Sequence, residues 1–371
     1  MNRRHLDSLT WLRAIAAIFV LISHCYKVAE TQYAITDEPS YFFPIKLLDL
    51  GTFGVYLFFA LSGCTLFISN RSKVNSIGSI GGFYAKRFFR IWPPFAVSLI
   101  VYLLFIEVFK ELYTSEPTFW VAAQFFKEYS LVDVLHYLSL TFNLTGPKGL
   151  FIYPYWSLPV EFQYYLMLPL VMILMKFKPA FIYPVLISAL LYLVYANKLI
   201  IVDRLDVFQM AFTFFGGVLL AKIYLNINIR LPLILSLFLF LIVSLIAGLI
   251  RNDIVQVPEQ ILFFSNKWNM FGALALISVF IALITKPIKK SNWLSRFIFN
   301  VGEISYSIYL YHMLFIGLAV LLVLHFEIYG DTPKLLFIFS FSFISSYLFS
   351  KWAFLMVEKP SMKLGKRLSN S

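Results

Sequence analysis

The stretch LPLILSLFLFLIVSLIAGLI, residues 231–250, carries no charged side chain. A helix needs about 20 apolar residues to cross the hydrocarbon core of a bilayer, so this stretch predicts a membrane-spanning helix. Other stretches of similar length and apolar character predict further spans. In chain order the ten predicted spans are roughly 9–29, 50–70, 93–110, 158–176, 179–197, 205–224, 231–250, 268–285, 300–324 and 334–354.

The composition of the whole chain agrees with these spans. Of its 371 residues 60% are hydrophobic and 13% are charged, whereas soluble domains have about 45–50% and about 25%. Surface-to-volume scaling prevents a soluble core of this size from burying so many apolar side chains. We therefore expect an all-α integral membrane protein of about ten transmembrane helices, forming a single polytopic domain over residues 1–371.

The basic residues indicate the orientation in the membrane. The formal net charge is +12, from 31 basic and 19 acidic residues. If the N-terminus is cytoplasmic, most of the basic residues fall in cytoplasmic segments, which is the positive-inside pattern. The pattern predicts that both termini are cytoplasmic. The net charge is then explained by a solvated basic face near anionic lipid, without a nucleic acid as partner.

Ionisable residues inside a span are costly and are candidates for a functional site. Arg13 and His24 lie in the first span, 11 residues apart, so they share a helix face and are separated by about 16 Å along the axis. A neutral imidazole can accept a proton from a hydroxyl. The alternative is a structural arginine and a histidine that bonds a neighbouring helix. Ser62 in the second span is a further candidate. The glycines of that span allow close backbone approach, so tight helix packing is the alternative to a functional role for Ser62.

Two further candidate groups carry charge. Arg87 and Arg90 are three residues apart and would share a helix face at the inner surface, where paired guanidinium groups suit phosphates; lipid headgroups are the alternative ligand. Glu161 follows Pro159, which predicts a helix start, so that a capping role in the first turn is the alternative for this carboxylate. The region 131–144 is too short to cross the membrane and is expected to be re-entrant or interfacial.

The late span 300–324 contains Ser305, Tyr309 and His312, which lie on one stripe of the helix. An interhelical hydrogen-bond network is one interpretation of this stripe. Intramembrane histidines, a carboxylate and an arginine pair are compatible with a proton relay in a transporter and with an acyl transfer. Composition and spacing do not decide between these two functions.

Six sequence motifs are distributed over residues 6–360 and therefore cover almost the whole chain. The motifs are the opening Leu6–Leu9 with Arg13 and His24, GVYLFFALSG at 54–63, the R-x-x-R of Arg87 and Arg90, the W-S-L-x-x-E of Trp156 and Glu161, ISYSIYLYH at 304–312, and VEKP at 357–360. In sequence and in order, these motifs resemble those of the membrane acyltransferase-3 family.

The resemblance implies O-acylation of an envelope or extracellular glycan in the inner membrane of a bacterial cell. The acceptor would be an O-antigen, a capsule, an exopolysaccharide or a lipid-linked sugar. The donor would be cytoplasmic acyl-CoA, most often acetyl-CoA, and no metal is expected. The resemblance further implies that His24 would be the base and that Glu161 would orient it, while Arg13, Arg87 and Arg90 would contact the donor.

Other residues in the motifs are candidates for substrate binding or for structure. The short tail after Glu358 predicts the stand-alone form of the family. Two alternatives of other classes remain: a proton-coupled transporter or glycan exporter, and a non-catalytic scaffold of a polysaccharide assembly. The candidates for substrate or structural roles are Ser62, Trp156, Ser305, Tyr309 and His312.

Overall fold

A computed structural model describes residues 7–30, 47, 49–74, 77–114, 119–144, 151–176, 206–255, 267–288 and 290–369. Within these ranges the secondary structure is helical apart from one isolated bridge between Leu231 and Thr285. Eight helices there are long and apolar enough to cross a bilayer, and a shorter apolar helix covers Met210–Tyr224. The protein is therefore an all-α integral membrane protein, as predicted. The predicted span 179–197 lies outside the described residues.

The helices are numbered in chain order. A 3₁₀ turn, Tyr153–Trp156, precedes α6, and a π-helical turn, Phe354–Glu358, joins α12 to α13. The helices are α1 (Asp7–Glu30), α2 (Gly51–Asn70), α3 (Ile77–Leu112), α4 (Phe119–Phe125), α5 (Leu131–Leu138), α6 (Ser157–Leu174), α7 (Asp206–Tyr224), α8 (Leu233–Arg251), α9 (Lys267–Ile284), α10 (Trp293–Glu303), α11 (Ser305–His325), α12 (Asp331–Ala353) and α13 (Lys359–Leu368).

Helix α3 is longer than the span predicted from hydropathy. It begins at Ile77 and passes through Pro93 and Pro94, whereas the predicted span begins at Pro93. The basic residues at 86–90 lower the hydropathy of the preceding turns without interrupting the helix. Proline inside a membrane helix is tolerated because neighbouring groups can satisfy the freed backbone carbonyl. The arginine pair therefore lies on a continuous helix.

The late helices also differ from the predicted spans at their ends. The predicted span 300–324 is divided at Ile304, which separates α10 from α11. Helix α12 begins at Asp331 and is continued by the π-helical turn into α13. The apolar stretch is thus extended beyond residue 354 by a basic, amphipathic helix.

The chain divides into two compact units, which are described separately. The first unit comprises Met1–Phe19, Pro44–Phe83 and Gln163–Glu303, as far as these are described. Its centre is the contact of α2 with α7, where Gly63 packs against the Phe214 carbonyl and Gly217 against the Ala60 carbonyl. Small residues let helix backbones approach closely in membranes. This is the tight helix packing that was given above as the alternative for the second span.

The second unit comprises Val20–Phe43, Tyr84–Phe162 and Ile304–Ser371. Tyr129 and Leu138, near the two ends of α5, contact α3 in this unit. Trp92 Nε1 donates to the Leu138 carbonyl at 2.7 Å, and the Tyr129 hydroxyl donates to Glu107 at 3.4 Å. Positions 92 and 107 are about 22 Å apart along α3. The region around α5 therefore lies beside about four turns of this helix, and whether it is re-entrant or interfacial stays a prediction.

Candidate active site

The candidate active site lies within the second unit and is centred on two buried histidines. His24, on α1, is 6% exposed, and His312, on α11, is 1% exposed. Their ring centroids are 5.3 Å apart, and the ring of Tyr153 lies 6.2 Å from that of His24. The structure therefore brings together two residues that the sequence placed in separate spans.

The hydrogen bonds of His312 determine which of its ring nitrogens is a base. Its Nδ1 lies 2.9 Å from the Tyr309 carbonyl oxygen and 3.2 Å from the Ile308 carbonyl oxygen. Because a carbonyl only accepts, Nδ1 must carry the proton and donate. In the neutral ring Nε2 is then an acceptor. This Nε2 is buried and has no hydrogen-bond partner within the described parts of the chain.

His24 has a similar open position. Its Nδ1 is also buried, and among the residues that the structure describes no group forms a hydrogen bond with it. Most buried polar atoms in proteins are paired, so such an atom calls for a functional or structural explanation. His312 and Lys27 both lie close enough to the His24 ring to interact with it electrostatically.

Tyr309 connects α11 to the start of α6. Its hydroxyl donates to the Pro154 carbonyl at 2.5 Å and lies 2.7 Å from Ser157 Oγ. Since the tyrosine proton is used at Pro154, Ser157 is the donor in the second bond. The late motif thus holds the turn that ends at Trp156, and the helix that carries Glu161 begins directly after this turn. Trp156 is half-buried.

Glu161 lies further into α6 than the sequence predicted. The helix begins at Ser157, two residues before Pro159, so that Glu161 is its fifth residue and lies beyond the first turn. Proline fits within the first turn because the N–H it lacks would have no partner there. The expected position of Glu161 in the first turn is wrong, and with it the capping alternative loses its basis. The carboxylate lies close enough to the Tyr309 hydroxyl to interact electrostatically with it.

The arginine pair lies on α3, and one of its members is held by an acidic partner. Arg90 Nη1 is 3.3 Å from Glu358 Oε1 and donates to Met362 Sδ at 3.1 Å. Glu358 is fully buried, and its Oε2 accepts a hydrogen bond of 2.7 Å from Ser307 Oγ. Arg87 lies three residues earlier on α3 and is half-buried. The arginine, ISYSIYLYH and VEKP motifs therefore meet at Glu358.

Two of the predicted site residues belong to the first unit. Arg13 Nη2 donates to Thr65 Oγ1 at 2.8 Å, and Thr65 donates in turn to the Leu61 carbonyl. Ser62 lies on the same helix as Thr65, one residue before the tightly packed Gly63. In the other unit Ser305, at the start of α11, is buried.

Comparison with known proteins identifies the family. The sequence profile of a family described as "Acyltransferase domain" matches residues 6–351. The chain belongs to this acyltransferase family. The matched range contains His24, Arg87, Glu161 and His312.

One curated relative of this acyltransferase is "Acyltransferase MdmB" of Streptomyces mycarofaciens. The two are 31% identical over 165 residues, which cover 44% of this chain and 38% of the relative. The match therefore spans well under half of the relative's length. No solved structure matches the chain.

Glu358 was not predicted from the sequence as a residue of this site. It stands in the quoted VEKP motif, and an acidic residue that follows the apolar run WAFLMV carries a recognisable signal. Intramembrane carboxylates pair with other charged groups. The sequence does not show which of the many basic residues is the partner, because that depends on the packing of α3 against the end of α12.

Proposed function

We propose that this membrane protein transfers an acetyl group from acetyl-CoA to a hydroxyl of an envelope or extracellular glycan, in the inner membrane of a bacterium. Membership of the acyltransferase family supports the reaction class. The observation that carries the proposal is the buried His24 ring, whose Nδ1 is unpaired among the described residues and which lies beside His312. A histidine in this setting is suited to general base catalysis.

In the proposed reaction His24 removes the proton from the acceptor hydroxyl. The hydroxyl oxygen attacks the thioester carbonyl carbon of acetyl-CoA, the C–S bond breaks, and an ester forms. Coenzyme A leaves as a thiolate and receives the proton from His24. We propose direct transfer because the two cysteines, Cys25 and Cys64, are buried, and burial of a thiol in apolar surroundings disfavours the thiolate that would be the nucleophile.

The remaining assignments follow from charge and position. Arg87, Arg90 and Arg13 would contact the phosphates of the donor from the cytoplasmic side, because guanidinium groups suit phosphates. Glu161 would orient or stabilise the protonated His24, which is the usual task of a carboxylate behind a catalytic histidine. Trp156 would offer an aromatic surface to the sugar.

The test compares surface glycans from a host that expresses either the wild-type protein or His24→Ala. We expect the variant to lose the mass increment of the acetyl group while the amount of exported glycan is unchanged. His325→Ala, on α11 and 13 residues beyond His312, is the control and should keep the modification. Retained acetylation in His24→Ala would refute the proposal, and loss of export without loss of acetylation would favour a transporter.

A further inference from the structure

His24 and His312 each have a buried ring nitrogen without a hydrogen-bond partner among the described residues, and the two nitrogens are complementary as donor and acceptor. A base that uses Nε2 must hold its own proton at Nδ1, and in His24 this Nδ1 is buried without a partner among the described residues. His312 offers the opposite group. Its Nδ1 proton is committed to the Tyr309 carbonyl, which makes its buried Nε2 an acceptor that lacks a donor.

The distance between the rings suits a direct bond. Two imidazoles joined by an N–H···N hydrogen bond have ring centroids roughly 5 Å apart, given ordinary donor–acceptor distances. The centroids of His24 and His312 are 5.3 Å apart, with the ring planes inclined by 38°. The separation of the two rings therefore matches that of a hydrogen-bonded pair of imidazoles.

We propose that His312 is a positioning residue for His24. The chain of bonds runs from the His24 Nδ1 proton to His312 Nε2, and from the His312 Nδ1 proton to the backbone carbonyl of Tyr309. It keeps His24 in the tautomer that presents Nε2 to the acceptor hydroxyl. When His24 accepts the hydroxyl proton, its Nδ1–H stays bonded to His312, which stabilises the imidazolium until the leaving thiolate takes the proton.

This inference rests on the proposed function, because it assigns a role to His312 in the reaction of His24. It extends that function by a neutral group that accepts the Nδ1 proton of the base, and it leaves to Glu161 the electrostatic stabilisation of the imidazolium. The anchor of the chain is a backbone carbonyl, and its position is maintained by the Tyr309 side chain, whose hydroxyl bonds Pro154.

Two substitutions separate positioning from packing. In His312→Asn the amide nitrogen stands near the place of Nδ1 and keeps the donation to Tyr309, but nothing replaces Nε2. In His312→Gln the longer side chain can place its amide oxygen near the position of Nε2, where it accepts the His24 proton. His325→Asn, on the same helix, is the matched control. His325 lies at the exposed C-terminal end of α11.

The assay uses purified protein in lipid nanodiscs, radiolabelled acetyl-CoA, and membranes of a host that lacks this gene as the source of acceptor. We expect His312→Asn to lower kcat about 10- to 100-fold, which at most reaches the lower end of the roughly 10²–10⁴-fold contribution of acid–base catalysis, with KM for acetyl-CoA unchanged. His312→Gln should recover to within about threefold of wild type, and His325→Asn should match wild type.

Two results would overturn the role of His312: wild-type kcat in His312→Asn, or equal loss in the Asn and Gln variants. His24→Ala, run in parallel, distinguishes this failure from that of the proposed function. An inactive His24→Ala beside a fully active His312→Asn removes only the positioning role. An active His24→Ala removes the catalytic assignment of His24 itself.

Discussion

Glu358 Oε1 lies 3.3 Å from Arg90 Nη1, and the carboxylate that makes this contact has no exposed surface. Removing one partner of a fully buried ion pair typically costs about 3–5 kcal/mol, and the Arg90 side chain, which is 29% exposed, keeps the cost of Glu358→Ala below that range. We expect Glu358→Ala to lower the midpoint of thermal unfolding measurably in detergent. Glu358→Gln keeps an acceptor for Ser307 and should lose less.

The control for this prediction is an exposed ion pair on the same helix as Arg90. Glu107 lies 3.3 Å from Lys110, and its side chain is 61% exposed. Exposed pairs contribute about 0–1 kcal/mol, so Glu107→Ala should leave the unfolding midpoint nearly unchanged. Equal effects of Glu107→Ala and Glu358→Ala would contradict a structural role for the buried pair.

Arg87 belongs to the R-x-x-R motif together with Arg90, whose guanidinium forms an ion pair with Glu358. We expect Arg87 to contact the phosphates of the donor through its guanidinium. Loss of one charge-assisted hydrogen bond costs about 1.5–3 kcal/mol. Arg87→Gln should therefore raise KM for acetyl-CoA at least about tenfold, as measured by labelled acetyl transfer, while the protein remains folded in membranes.

Arg71→Gln provides the comparison for Arg87. Arg71 is exposed, directly after α2, and outside the motif, so its loss should not change KM. If Arg87→Gln also left KM unchanged, the guanidinium of Arg87 would be a contact to lipid headgroups, the alternative that its basic, aromatic surroundings offer.

Tyr309 supports a prediction about the turn before α6. Tyr309→Phe removes the hydroxyl that donates to the Pro154 carbonyl and accepts from Ser157. A buried acceptor left without its donor costs about 1–3 kcal/mol. We expect a lower unfolding midpoint and a lower kcat, because the turn places the helix of Glu161. Tyr329→Phe, at a position that is 75% exposed, should change neither, and an unchanged Tyr309→Phe would show that the turn does not depend on this bond.

The sequence predicted the membrane class and the late motif, but not the contacts among the motif residues. Hydropathy identifies a span because crossing the hydrocarbon core needs about 20 consecutive apolar residues, which is a local property of the sequence. The spacing of Arg13 and His24 gives their shared face on α1, yet it does not show that His312 faces His24. That contact depends on how α1 and α11 pack, which no periodicity within either helix records.

Helix ends were the other feature that hydropathy could not supply. Lys86, Arg87 and Arg90 made α3 seem to start at Pro93 because charged residues lower the average hydropathy, although they lie on a continuous helix. Pro159 similarly marked the beginning of α6 two residues too late, and this error moved Glu161 into the first turn. Proline indicates that a helix start is near, but any position in the first turn accommodates its missing N–H.

Gly63 allows a test of the packing in the first unit that is independent of the chemistry. A Cβ at this position would overlap the Phe214 carbonyl, a backbone atom that cannot move aside as a flexible side chain could. We expect Gly63→Ala to separate α2 from α7 and to lower the unfolding midpoint markedly. Gly81→Ala is the matched control, since Gly81 also lies in a helix and a Cβ there meets no atom within 4 Å. Alanine is favoured over glycine inside a helix by about 0.5–1 kcal/mol, so Gly81→Ala should raise the midpoint slightly. A Gly63→Ala protein that is as stable as Gly81→Ala would show that the close approach of the two helices is not needed for their association.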